Sequence, residues 1–227
     1  MTTIGKKKLT YSLWSLIYLV LTAVIVISAT SLFNNFYYES VYVSGSSMDP
    51  TLSGNGASER FGSDYGIIDK DAGAKRNVKR YQIVTTYFPG EDPGNPNVSY
   101  KIKRVIVKPL ERFKVEDNNL YIYNEAYKNV NNGWGEPLKM PFDRNGITNV
   151  DTPIADRNWP DTTLESDQYF LAGDNWVSSY DSFSVGPVSY SSLVGVVVKM
   201  QGRCTVQNGK VVEKQSYEDR YFLGVDY

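Results

Sequence analysis

Between Tyr11 and Phe33 the chain carries no formally charged side chain, and from Leu16 to Ile27 it is almost wholly apolar. As a helix rising 1.5 Å per residue, a run of roughly 23 residues reaches about 34 Å, enough to cross a hydrocarbon core of about 30 Å. It is apolar nearly all round, which does not suit a helix packed by one face against a soluble core. Trp14 and Tyr18 near one end, and Phe36, Tyr37 and Tyr38 past the other, suit the two membrane interfaces. Lys6, Lys7 and Lys8 place the N-terminus on the cytoplasmic side and the remainder outside. A cleavable leader competes with this reading, because Ser28-Ala29-Thr30 offers small residues for a cut. The apolar run is long for a leader, however, and aromatic residues follow it. The expected organisation is a cytoplasmic tail over 1–10, a single transmembrane anchor over 11–33 in the cell membrane, and an extracytoplasmic domain over 34–227.

The rest of the composition limits the chemistry. The 227 residues are 41% hydrophobic and carry a formal net charge of −1, enough for one sizeable core and no sign of a nucleic-acid partner. Cys204 is the single cysteine, so neither an intrachain disulfide nor a multi-cysteine metal site is available. The sequence has 0 histidines. That excludes Ser-His-Asp and Cys-His catalysis and an imidazole zinc site, and leaves lysine, a carboxylate or an N-terminal amine as bases. No cofactor or metal is expected.

Past the anchor the pattern is that of strands. Ser40–Val43, Arg80–Phe88, Val98–Val107, Asp167–Ala172 and Leu193–Met200 are β-branched or aromatic runs. Ser53–Asn77 reads as a long loop around one short strand near Ile67 and Ile68. Hairpins are expected around Asp117-Asn118-Asn119 and around Gln207-Asn208-Gly209. No long segment after Phe33 has helical periodicity, so the ectodomain is expected to be mostly β. Its core should cover about 38–108 and 165–202. A loop-rich insertion is expected over about 109–164, least patterned from 126 to 163, with a C-terminal extension over 203–227.

Three stretches could carry chemistry. In Tyr42-Val43-Ser44-Gly45-Ser46-Ser47-Met48-Asp49-Pro50-Thr51-Leu52 a strand-like segment runs into a Gly/Ser corner that proline forbids from being helical. Its serines are either ordinary turn residues or a presented nucleophile. In Tyr100-Lys101-Ile102-Lys103-Arg104-Val105-Ile106, alternation sends Lys101, Lys103 and Val105 to one face and Ile102, Arg104 and Ile106 to the other. This is either a solvated edge or a strand that buries Lys103. A lysine titrating near 10.4 needs a shift of about 3 units to serve as a base near neutrality, which corresponds to roughly 4 kcal/mol of desolvation or repulsion. In Gly173-Asp174-Asn175 and the Ser/Asp-rich loop that follows, each residue taken singly is explained by side-chain bonds to the backbone.

Taken together, SGSSMDPTL at 44–52, KRV at 103–105, GDN at 173–175 and SYDS at 179–182, in that order behind an N-terminal anchor, resemble the type I signal peptidases. These are membrane-anchored serine proteases with a Ser-Lys dyad. The resemblance runs from the anchor to about Gly195, is weak across 53–79 and 108–165, and is absent from the tail. It implies a signal-peptidase-like β ectodomain that cuts signal peptides from secretory preproteins after small residues at −1 and −3. It also implies Ser47 as nucleophile, Lys103 as general base about 3 Å away, and Ser179 orienting the amine. Gly173, Asp174 and Asp181 would support the site, and Met48 and Ile102 would line the pocket for the residue before the cut. The partners implied are secretory preproteins and the lipid bilayer.

The chain departs from the family pattern in four places. Gly45 stands where some members carry a hydroxyl as second oxyanion donor. Val107-Lys108-Pro109-Leu110-Glu111 replaces a Gly-x-Pro-Gly-Asp turn, and Arg80-Tyr81-Gln82 replaces Arg-Gly-Asp. Phe183 stands where an arginine usually follows the last aspartate. With that arginine missing, Arg104 is expected to pair with Asp174, Asp181 or both, and Phe183 to pack on apolar neighbours. The rival readings are a non-catalytic relative acting as an assembly factor or chaperone for surface proteins, a self-cleaving repressor-type Ser-Lys protease, and an unrelated anchored β-domain that binds a ligand.

Overall fold

The computed structural model describes residues 3–54, 60–128, 132–138 and 157–217. Two compact units are present, Met1–Glu39 and Ser40–Tyr227. The first is a helix, Thr3–Tyr37, of which the 26 residues Ser12–Tyr37 are long and apolar enough to cross a membrane. Leu19 and Ile27 on it are each 67% exposed. In hydrocarbon a helix satisfies its own backbone groups, so such a surface is at home in lipid.

Eleven strands follow in the described residues. In chain order they are β1 (Tyr38–Tyr42), β2 (Ser63–Asp69), β3 (Ile83–Thr86), β4 (Lys101–Val107), β5 (Arg112–Glu116), β6 (Asn119–Ile122), β7 (Trp159–Thr163), β8 (Gln168–Ala172), β9 (Val188–Ser189), β10 (Leu193–Gln207) and β11 (Lys210–Ser216). One sheet has the order β1-β2-β10-β3-β4-β8-β9, with β11 also paired to β10. The 15-residue β10 holds this sheet together. It pairs with β2, β3 and β11, and its register shifts in every one of these pairings. Each shift bends the strand and tightens its twist, so the sheet curls instead of lying flat. The protein is mostly β, as its sequence pattern requires.

The curled sheet buries apolar side chains on both faces of β4. Val105 joins Val84, Leu171 and Val196 in one cluster. Ile106 and Val107 join Phe113, Phe170 and Trp176 in a second. A third cluster gathers Val41, Val43, Met48, Leu52, Ile68 and Met200, with Ile102 against it.

A smaller sheet of order β6-β5-β7 forms from residues of the expected insertion. Its β5–β6 turn has Asp117 and Asn118 at φ 49° and 62°, and the β10–β11 turn has Asn208 and Gly209 at φ 50° and 72°. Tight hairpin turns need this left-handed pair, which Asn, Asp and Gly adopt most readily. The strand β7 lies within a stretch expected to be loop. Its sequence, WPDTT, has no apolar alternation because all five side chains stay at least partly exposed, and Pro160 is tolerated on an edge strand. A short helix, Ala72–Arg76, likewise occupies part of the expected 53–77 loop, with the Asp71 carboxylate accepting from the Gly73 and Ala74 N–H groups at its start. Residues 139–156 of the insertion and 218–227 of the C-terminal extension lie outside the described residues.

At the centre of the β2–β10 contact, a β-carbon on Gly66 would fall 2.3 Å from the Lys199 carbonyl oxygen and 2.7 Å from the Met200 sulfur. A backbone oxygen cannot give way as a flexible side chain does. Gly66→Ala is therefore expected to destabilise the β domain by about 1–3 kcal/mol, the range for overpacked sites. Urea denaturation of the detergent-solubilised protein measures it, and an unchanged midpoint would contradict the close approach.

Candidate active site

Ser47 sits on a corner fastened at both ends. Before it, Val43 N–H donates to the Asp64 carbonyl at 2.8 Å and Gly45 N–H to Gly54 at 2.9 Å. After it, Leu52 N–H donates to Met48 at 2.9 Å, closing a helical turn. The corner is also tied to the Gly-Asp-Asn turn that follows β8. Asn175 donates from its backbone N–H to the Ser47 carbonyl and from its side-chain amide to the Ser46 carbonyl, both at 3.1 Å. The Ser46 and Ser178 hydroxyls meet at 3.3 Å.

Lys103 projects from β4, directly opposite Val84 of β3. Val84 is fully buried, and so is Val105 two residues along the same face, so the lysine stem is desolvated and only 4% exposed. Its Nζ donates to the Ser47 hydroxyl at 2.7 Å and to the Ile102 carbonyl at 3.0 Å. Burial lowers the Lys103 pKa to about 8; the Asp181 and Asp174 carboxylates oppose that shift, while Lys101 and Arg157 reinforce it. A neutral amine at this distance from a hydroxyl is placed to accept its proton.

The supporting groups form two buried ion pairs. Arg104 grips Asp174 through two bonds, Nε to Oδ1 at 2.7 Å and Nη2 to Oδ2 at 2.6 Å, and donates from Nη1 to the Tyr81 carbonyl at 2.6 Å. Asp181, the carboxylate two residues before Phe183, is paired instead with Arg157, whose Nη1 donates to its two oxygens at 2.8 and 3.0 Å. Phe183 packs at 5.1 Å from the Phe170 ring and 5.3 Å from that of Trp176. Arg157 had no signal in the sequence, since it lies in an unpatterned stretch two residues before β7. Only the arginine missing at 183 hinted that Asp181 needs a cation from elsewhere.

Gly173 lies where two segments converge. A β-carbon there would stand 2.3 Å from the Ser179 hydroxyl and 2.3 Å from the Ser47 carbonyl oxygen. Its N–H donates to Asp181 Oδ2 at 2.9 Å. The Ser179 hydroxyl, expected to orient the Lys103 amine, is buried against Gly173 and makes no hydrogen bond to that amine, which donates to Ser47 and Ile102. Met48, expected to line a substrate pocket, is 1% exposed and packs inward with Leu52 and Met200; Ile102, half-buried beside the same cluster, keeps some surface.

The family model for signal peptidase, peptidase S26, matches residues 13–200. Signal peptidase I V of Bacillus subtilis is 29% identical over 159 residues, covering 68% of this chain and 80% of that protein. Signal peptidase I T of the same organism is 28% identical over 198 residues, covering 85% and 86%. A probable signal peptidase I-2 of Synechocystis is 32% identical over 168 residues, covering 70% and 61%. A crystal structure of a signal peptidase I from Enterococcus faecalis aligns with a TM-score of 0.36 and 24% identity, over 53% of this chain and 97% of that one. The chain belongs to the signal peptidase family, the S26 serine peptidases.

Two substitutions probe this electrostatic arrangement. Arg104→Gln leaves Asp174, 3% exposed, as a buried carboxylate without its bidentate partner, and is expected to cost about 3–5 kcal/mol. An unchanged melting temperature would show that the pair carries no stability. Lys103→Met removes a buried amine that is largely protonated at pH 7. It is expected to raise stability there by about 1–3 kcal/mol. The gain should shrink with rising pH. With a folded pKa near 8 against 10.5 unfolded, the wild type binds fewer protons folded than unfolded between those values and gains stability across that window. A melting curve for Lys103→Met below the wild type at pH 7 would refute this.

Proposed function

We propose that the protein is a membrane-anchored serine endopeptidase that removes N-terminal signal peptides from secretory preproteins, with Ser47 as nucleophile and Lys103 as general base. The observation that carries this reading is the 2.7 Å contact between the Lys103 amine and the Ser47 hydroxyl, made across 56 residues of sequence inside a desolvated site. A chain without histidine needs another base, and a buried lysine supplies one.

Neutral Lys103 takes the hydroxyl proton as Ser47 attacks the scissile carbonyl. The Ser47 backbone N–H faces the developing oxyanion, with Ser44 or Ser46 as the nearest hydroxyls for a second donor. The protonated amine then delivers its proton to the leaving amine, and a water, activated by the same lysine, releases the acyl group. Ser179 is assigned the role of orienting the amine once Ser47 has turned to the substrate and freed one donor position. Asp174, Asp181, Arg104 and Gly173 hold the loop that carries it. Ile102, with Met48 beneath it, would form the shallow apolar surface for small residues at −1 and −3. Three lysines ahead of the anchor favour a cytoplasmic N-terminus and an extracytoplasmic site. Tethering at the bilayer raises the effective concentration of a membrane-inserted substrate.

The test is cleavage of a preprotein by the detergent-solubilised enzyme. Ser47→Ala and Lys103→Arg are both expected to be inactive, the latter because guanidinium stays protonated at any working pH. For the wild type, kcat/KM should rise with pH through about 8, as the amine loses its proton, and level off above it. Substantial turnover by Lys103→Arg would mean that another group is the base. A wild type with no turnover would instead fit an assembly factor or chaperone that keeps the fold.

A further inference from the structure

We propose that Arg157 is a positioning residue for this reaction, and that through it the inserted sheet holds the active-site loop in register with Ser47. The inference rests on the peptidase reading above. The Arg157 side chain is 9% exposed and that of Asp181 0%. One guanidinium grips the loop at two points. Nη1 holds the Asp181 carboxylate at 2.8 and 3.0 Å, and Nη2 holds the Ser179 carbonyl at 2.7 Å. The planar group lies 4.9 Å over the Phe183 ring, which fixes its tilt.

From the loop, each contact leads to the next without slack. The other Asp181 contacts are the Gly173 N–H at 2.9 Å and the Phe183 N–H at 3.2 Å, the latter at the start of the short helix Ser182–Val185. Gly173 in turn is wedged between the Ser179 hydroxyl and the Ser47 carbonyl, with no room for a single added carbon against either. Displacing Asp181 therefore moves the surface on which Ser47 and Ser179 rest. The other end of Arg157 is equally fixed. Its N–H donates to the Asn118 side chain at 3.1 Å, and the Asn158 side chain accepts from the Asp117 N–H at 2.9 Å, so the β5–β6 turn anchors the approach to β7. The insertion is thus built into the site's support and is not an appendage to it.

A role confined to charge neutralisation would be met by any cation. A fork that holds a carboxylate and a carbonyl at once is specific to arginine. The groups acting on Lys103 are Asp181, Lys101, Asp174 and Arg157 itself, and loss of the Arg157 charge moves the amine toward its protonated form.

The experiment compares full-length wild type, Arg157→Lys and Arg157→Gln in detergent, with Ser47→Ala as control, measuring kcat, KM, the acid limb of kcat/KM and the melting temperature. Arg157→Gln is expected to lower kcat by about 10- to 100-fold with KM nearly unchanged, and to move the acid limb to higher pH. Arg157→Lys keeps the charge but cannot reach both acceptors, so kcat should fall by about 3- to 10-fold with the acid limb in place. A merely structural residue would lower the melting temperature while leaving kcat per folded molecule and the acid limb as in wild type, and that result overturns the proposal. If Arg157→Gln does not fold, Arg157→Lys decides: wild-type kcat overturns the inference. Cleavage that survives Ser47→Ala would sink the peptidase reading and this role with it, whereas an inactive Ser47→Ala beside a fully active Arg157→Lys sinks this role alone.

Discussion

A lysine amine held away from water against a serine hydroxyl is the constraint on which the rest of the β domain depends. For the role proposed above, the amine has to be desolvated enough to lose its proton at moderate pH, with no carboxylate free to pin that proton in place. Two carboxylates, Asp174 and Asp181, act on Lys103 and raise its pKa. Each is locked to its own arginine, Arg104 and Arg157, in pairs whose side chains are at most 9% exposed. The ion pairs give the loop its shape through hydrogen bonds, while the Arg157 charge opposes what the carboxylates do to the lysine. Burial then dominates, and the Lys103 pKa falls to about 8.

Much of this was legible in the sequence. The anchor, the mostly β character, the two Asn/Asp/Gly hairpin turns and the opposite facing of Lys103 and Arg104 all follow from local pattern, because period and turn chemistry are local properties. That Arg104 pairs with a carboxylate of this loop was legible too, though not that its partner is Asp174 while Arg157 serves Asp181. Alternation sends Arg104 away from Lys103, and the resemblance places Asp174 in the loop that must approach β4. What escaped was non-local. Arg157 sits beside an edge strand whose side chains remain partly in water, so it leaves no apolar rhythm to read. Met48 was expected from the family resemblance to line a substrate pocket, but the helical turn closed by Leu52 on Met48 points it into the core with Val43 and Ile68.

The insertion and the curled sheet meet through aromatic rings as well as charge. Phe170 of β8 contacts Phe113 of β5 at 4.8 Å, Trp159 of β7 at 4.8 Å and Phe183 at 5.1 Å. One strand of the large sheet thus supplies the ring around which the small sheet and the active-site loop both pack. The edge-on geometry of these contacts adds direction to apolar burial. With Phe183 in this cluster, the residue two positions after Asp181 is committed to the core and cannot pair with that aspartate. The cation must then come from outside the loop, and the β7 approach is the neighbouring segment that the same aromatic cluster brings within reach.

The Ser179 hydroxyl, buried without a hydrogen bond among the described residues, is consistent with this picture. A buried hydroxyl without a hydrogen bond costs about 1–3 kcal/mol, and a core selected for stability alone would fill the position with an apolar residue. Its backbone, by contrast, is held firmly, with the Ser179 carbonyl bonded to Arg157. The structure therefore fixes where the hydroxyl is and leaves open what it bonds to. Such a conflict between local satisfaction and overall stability is expected where a site must bond differently before and after substrate arrives. The buried lysine poses the same conflict on the other side of Gly173, so both unfavourable choices fall on the atoms that would have to change partners during the reaction.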